Sequence, residues 1–115
     1  MTTIYKVCGA AEWAQAEASG EYRGSADDAR GGFIHFSTAA QLAGTLAKHF
    51  AARDDLLLIA VDADTLGAGL KWEPSRGGDL FPHLYSAFRT SAALWGKPLP
   101  RDAAGQHILP PEVRR

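Results

Sequence analysis

Residues 33–50 read Phe33-Ile34-His35-Phe36-Ser37-Thr38-Ala39-Ala40-Gln41-Leu42-Ala43-Gly44-Thr45-Leu46-Ala47-Lys48-His49-Phe50. This stretch runs one kind of element straight into another. Its first five residues are β-rich and short, which predicts a strand. Thr38 and Gln41 stand at capping-box spacing, so a helix starts there. Leu42, Leu46 and Phe50 recur every fourth residue and share the buried face of that helix.

Working outward, Ile4 to Cys8 reads as a strand, and Ala10 to Ser19 as a short helix stopped by Gly20. Gly20 to Gly32 is polar and glycine-bearing and reads as a long loop. Leu56 to Val61 is apolar throughout, the pattern of a central strand covered on both faces. Asp62 to Gly69 is a turn region, Leu70 to Glu73 a strand, Pro74 to Asp79 a glycine-rich loop, and His83 to Phe88 a further strand. From Gly96 the chain holds four of its six prolines, which predicts a surface tail with one last strand near Leu94. No linker interrupts the chain, so one domain is expected over 1–115, with 96–115 as a proline-rich C-terminal tail.

The 115 residues suit one domain with a modest core. Lys and Arg number 12 against 13 Asp and Glu, a net charge of −1. No basic excess exists to release counterions, which argues against a nucleic-acid partner held by bulk charge. Hydrophobic residues make up 46% of the chain, enough for a packed interior. No apolar run approaches the roughly 20 residues of a membrane span. The start lacks the pattern of a signal peptide, so a cytoplasmic location is expected. Cys8 is the single cysteine, which excludes an intrachain disulfide and a multi-thiolate zinc site; a buried thiol is expected.

Strand side chains alternate, so parity decides which residues meet. His35 and Ser37 share one face, with Ile34 and Phe36 on the other. Leu70 and Trp72 point inward, Lys71 and Glu73 outward. His83 and Tyr85 share a face opposite Leu84 and Phe88. If these strands are neighbours, three polar pairs line one cleft. His49, near the end of its helix, is explained by the helix dipole and needs no chemistry. His107 lies in the tail. No Walker loop or dinucleotide fingerprint occurs, and the spacing of His35, Glu73 and His83 is unlike a compact metal motif, so no metal is expected.

The segments Ile4-Tyr5-Lys6, Gly32-Phe33-Ile34-His35-Phe36-Ser37-Thr38 and Trp72-Glu73-Pro74-Ser75-Arg76-Gly77-Gly78, running on to Leu80-Phe81-Pro82-His83-Leu84-Tyr85, carry a resemblance. The chain resembles domain-of-unknown-function family 952, small and mostly bacterial proteins grouped by fold with the ADP-ribosyltransferase-like superfamily. The resemblance spans about Ile4 to Phe88. It implies an α+β fold, a split β-sheet pair around a cleft with short flanking helices. It also implies NAD, or an ADP-ribosyl or nucleotide-like ligand, in that cleft, and transfer of ADP-ribose or, as in the RNA 2′-phosphotransferases, of phosphate.

Residue by residue, the superfamily's opening-strand His or Arg is matched here by Tyr5-Lys6, or its part is played by His35. Phe33 to Thr38, entering the Leu42/Leu46/Phe50 helix, matches the unit that packs the nicotinamide. The glutamate that stabilises an oxocarbenium-like transition state is matched by Glu73, with His83 as competitor. The resemblance thus implies Glu73, His35 and His83 as catalytic candidates. Ser37, Thr38, Lys6 and Arg76 would hold ribose or phosphate, and Tyr5, Phe36 or Tyr85 would stack the base. Two readings stay open: an enzyme of this transferase type, or a non-catalytic small-ligand or protein-interaction module that kept the cleft.

Overall fold

A computed structural model describes residues 1–113, with the side chain of Arg76 outside the described set. The structure mixes helices with antiparallel sheets. Strand β1 (Thr3–Gly9) leads into helix α1 (Ala10–Ser19). Strand β2 (Glu21–Tyr22) and helix α2 (Ala26–Gly31) follow, then β3 (Ile34–His35) and α3 (Leu42–His49). The remaining strands are β4 (Leu56–Asp62), β5 (Leu70–Pro74), β6 (Leu80–Leu84), β7 (Phe88–Arg89) and β8 (Ala93–Pro98). They form a sheet ordered β1-β4-β8, a second ordered β3-β6-β5, and a small β2-β7 pair. No helix among the described residues is long and apolar enough to cross a membrane.

Strand β4 lies in the middle of its sheet, as its unbroken apolar run requires. Ile59 and Val61 face one core cluster with Ile4, Cys8, Trp13 and Phe88. Leu56, Leu58 and Ala60 face a second, with Tyr5, Val7, Leu42 and Leu46. One sheet thus separates two cores, and α3 covers the far one through the Leu42/Leu46 stripe. The Thr38–Gln41 pair starts a 3-10 turn ahead of α3, the Thr38 N–H donating to Gln41 Oε1 at 3.0 Å. Gln41 also donates to the Leu80 carbonyl at 2.8 Å, pinning this entry to β6.

Four expectations need correction. The span 20–32 is not one loop: it holds β2 and α2, both too short to show a period in sequence. Trp72 does not point inward but is 41% exposed, because β5 is an edge strand and only Leu70, at its start, reaches the core. The strand from His83 ends at Leu84, where the Tyr85 N–H turns to the Gly69 carbonyl at 2.8 Å; Phe88 belongs to β7. The tail from Gly96 does not lie wholly across the surface. Gly96 to Pro98 complete β8, and Leu99 is buried in the second core. Gly96 lets this strand close on β4, since a Cβ there would stand 2.9 Å from Ile59 Cδ1.

The two larger sheets are tied by one short segment. Ile34 and His35 pair with β6, and Phe36 N–H donates to the Pro82 carbonyl at 3.0 Å. One residue later Ser37 exchanges both backbone hydrogen bonds with Tyr5 of β1. The sheets part along this crossing, and a cleft opens there.

Candidate functional site

His35 on β3 lies directly opposite His83 on β6, and Lys71 on β5 lies opposite His83 from the other side. The imidazole centroids are 5.8 Å apart. Each ring has a carboxylate at its Nδ1: Asp28 Oδ1 stands 2.8 Å from His35 and Glu73 Oε1 2.8 Å from His83. An ionised carboxylate only accepts, so Nδ1 of each ring carries the proton. Nε2 is then the acceptor of a neutral ring and the second donor of an imidazolium. Among the described residues, no hydrogen bond reaches Nε2 of either ring.

Asp28 owes its place to a local folding signal. Ser25 caps α2, and Asp28, three residues on, completes the capping box: its Oδ2 accepts from Ser25 N–H at 2.9 Å. The same carboxylate accepts from the His35 N–H at 3.1 Å. It also accepts from Lys6, whose Nζ lies 3.0 Å from Oδ1 and 2.8 Å from Oδ2. Lys6 in turn donates to the His35 carbonyl at 3.2 Å. Burial alone would raise the Asp28 pKa. Hydrogen bonds from His35, the Lys6 charge and the Ser25 N–H outweigh it and hold the carboxyl well below its usual range.

Phe33 lies over the pair. Its ring stacks on His83 at 4.0 Å and meets His35 at 4.4 Å and Tyr85 at 5.3 Å. The Tyr85 hydroxyl donates to Glu73 Oε1 at 2.7 Å. Hydrogen bonds from Tyr85 and then His83 lower the Glu73 pKa, and the same bond to Glu73 raises that of Tyr85. Glycine gives His35 its room: a Cβ on Gly31 would stand 2.8 Å from His35 Cε1.

The imidazoles open on a cleft of about 390 Å³, in the usual range for small-ligand sites. β1 contributes Lys6, α2 contributes Ser25 and Asp27, and α3 contributes Thr45, Lys48 and His49. Ser37 lines it too, with its hydroxyl 2.8 Å from that of Thr45. Ser75, at the β5–β6 turn, closes one side.

The structure therefore brings Lys6, His35, Ser37 and His83 together around one cleft. Glu73 and Tyr85 stand behind His83 and do not line it. Tyr5 is packed in the second core, its ring 6.0 Å from that of Trp95, where it cannot stack a base in the cleft. Phe36 borders the cleft, but its ring is buried against Phe88 at 5.7 Å. Thr38 starts the turn before α3 and lies outside the lining. The side chain of Arg76 lies outside the described residues.

Sequence reasoning passed over Asp28, Phe33, Lys48 and His49. The Ser25-x-x-Asp28 capping spacing was the one available signal for Asp28. Phe33 shares the parity of His35. Lys48 and His49 look like ordinary last-turn residues of a helix, and nothing in the pattern shows that the cleft lies beside them.

Two experimental structures of protein CC0527 from Caulobacter crescentus share this architecture. The crystal structure is 46% identical, covers 94% of this chain and 95% of that one, and superposes with a TM-score of 0.90. The solution structure gives 47% identity, coverage of 92% and 91%, and a TM-score of 0.83. No curated protein matches the chain. A family profile described as protein of unknown function (DUF952) matches residues 7–96. That match runs from within β1 to within β8 and takes in Asp28, His35, Glu73 and His83, and the chain belongs to this family.

Proposed function

We propose that the cleft binds a phosphate-bearing, nucleotide-like ligand, either NAD or an ADP-ribosyl compound, and that His35 and His83 do acid–base chemistry at one of its phosphoesters. This sets the chain beside the ADP-ribosyltransferase-like proteins that it resembles, on the phosphate-transferring side of that group. One observation carries the reading: two imidazoles meet across a strand pair, each fixed at Nδ1 by a carboxylate, at the wall of a cleft that Lys48 also lines. A neutral imidazole takes the proton of the attacking hydroxyl or water, and the imidazolium opposite gives one to the leaving oxygen. The carboxylates hold the rings and their tautomers.

Transfer of ADP-ribose would instead need a carboxylate facing an oxocarbenium-like centre. Glu73 is turned to His83 and Tyr85 behind the cleft, and Asp28 is neutralised by Lys6. Neither presents free negative charge to a ribose, which favours the phosphoryl reaction. The paired Ser37 and Thr45 hydroxyls line the cleft and suit phosphate oxygens.

The test is calorimetric titration of NAD and of ADP-ribose into the purified protein. Binding is expected with at least one of them, weakened about tenfold or more by His35→Ala and by His83→Ala. Turnover of a phosphoester substrate should fall by roughly 10²–10⁴ in either variant. No heat and no thermal shift with either ligand would overturn the reading.

A further inference from the structure

We infer that Lys48 is a specificity residue of this cleft, placed to hold a second phosphate, so that the preferred ligand is a diphosphate and not a monophosphate. The inference rests on the phosphate reading above and names the residue that counts the phosphates.

Lys6 and Asp28 neutralise each other inside the protein. Asp27, on the rim, is paired with Arg30. That leaves Lys48, which lines the cleft and has no carboxylate within ion-pairing reach among the described residues. Among the described residues, the cleft therefore has one uncompensated fixed cation in addition to its imidazoles.

Its position separates it from the histidine pair. His35 and His83 stand on the sheet wall, whereas Lys48 comes from the last turn of α3. The helix dipole accounts for a cation in that turn. It does not account for the cation bordering the cleft, since a last-turn residue can as easily face away. A monophosphate offers a single anionic group, which the imidazoles take. A diphosphate carries a second, which answers the cation on the α3 side of the cleft. Lysine suits this role because its compact ammonium on a flexible stem acts as a point charge and needs no fixed fork geometry.

The test compares ADP with AMP, which share base and ribose and differ by one phosphate. Wild-type protein should bind ADP about tenfold more tightly than AMP, the range of one charge-assisted contact. Lys48→Met should bring the two affinities together by weakening ADP alone, and Lys48→Arg should keep most of the preference. The ratio within each variant is its own control for folding. Equal wild-type affinities, or a Lys48→Met variant that keeps the wild-type ratio or weakens both ligands alike, would overturn the inference while leaving the phosphate site standing. If wild-type protein binds NAD or ADP-ribose but neither ADP nor AMP, this inference falls and the phosphate reading stands; if it binds none of the four, both fall.

Discussion

Lys6 and Asp28 form an ion pair inside the protein: Nζ stands 2.8 Å from Oδ2, and the side chains are 4% and 3% exposed. Removing one partner strands the other's charge away from water. Lys6→Met should therefore destabilise the fold by about 3–5 kcal/mol. Replacing both, as Lys6→Met with Asp28→Asn, should cost less than the sum of the two single changes, because neither charge is then left alone. Urea unfolding of the three variants checks this. A loss under about 1 kcal/mol for Lys6→Met would mean that the pair is solvated.

Acid should weaken the fold through the same carboxyl. Asp28 titrates below its unfolded value of 3.8 in the folded chain. Between those two values the unfolded chain binds a proton that the folded chain does not, so stability rises with pH across that window. The contribution is complete above the unfolded value and is lost progressively as the pH falls from there towards the lower folded value. The Tm gap between wild type and Asp28→Asn should accordingly be wide near about pH 6 and narrow towards about pH 3. A gap that does not change with pH would show that Asp28 adds no proton linkage.

Much of this site was legible because strand parity is a strict rule. Reading Phe33 to Ser37 and His83 to Tyr85 by alternation is enough to set His35 and Ser37 apart from Ile34 and Phe36, and His83 apart from Leu84. Parity cannot say which strands are neighbours, and the β3-β6-β5 order is a tertiary fact. It also fails at edges: Trp72 has inward parity but stands 41% exposed on the edge strand β5. Asp28 was hidden for another reason. A six-residue helix shows no period, so its capping carboxylate looked like any loop aspartate. That one group is both a local cap and the long-range partner of Lys6 and His35.

Gly31→Ala should act on His35 without touching the imidazole chemically. The added methyl would stand 2.8 Å from Cε1 and 3.2 Å from Nε2. The ring must swing, and the 2.8 Å contact to Asp28 must lengthen. Ligand affinity should fall towards that of His35→Ala while the unfolding midpoint changes little. The His35 ring resonances should shift in NMR spectra of the variant. Unmoved resonances would show that the ring has space to spare.

Cys8 should be a silent thiol. It is 1% exposed, and burial pushes its pKa up to about 12. The thiolate is the reactive form, so at neutral pH there is almost none to react. A disulfide reagent should label native protein far more slowly than protein in denaturant, and Cys8→Ala should retain ligand binding. Rapid labelling of native protein would mean that the β1–α1 region opens readily.

Tyr85→Phe isolates the outer link of the chain that runs from Tyr85 through Glu73 to His83. The phenol donates to Glu73 Oε1 at 2.7 Å and is the leading cause of that carboxyl's low pKa. A donor to a carboxylate stabilises its charged form, so losing the donor must raise the pKa. The Glu73 carboxyl, followed by carbon-13 NMR, should titrate at higher pH in Tyr85→Phe than in wild type. Its remaining contact, 2.8 Å to His83 Nδ1, should keep the imidazole in place, since the Phe33 ring still stacks on it at 4.0 Å. Binding should therefore persist, and the acid limb of any pH–rate profile should move upward with Glu73. A Glu73 titration identical in the two proteins would show that the phenol does not hold the carboxylate, and would leave His83 with a partner fixed by the imidazole alone.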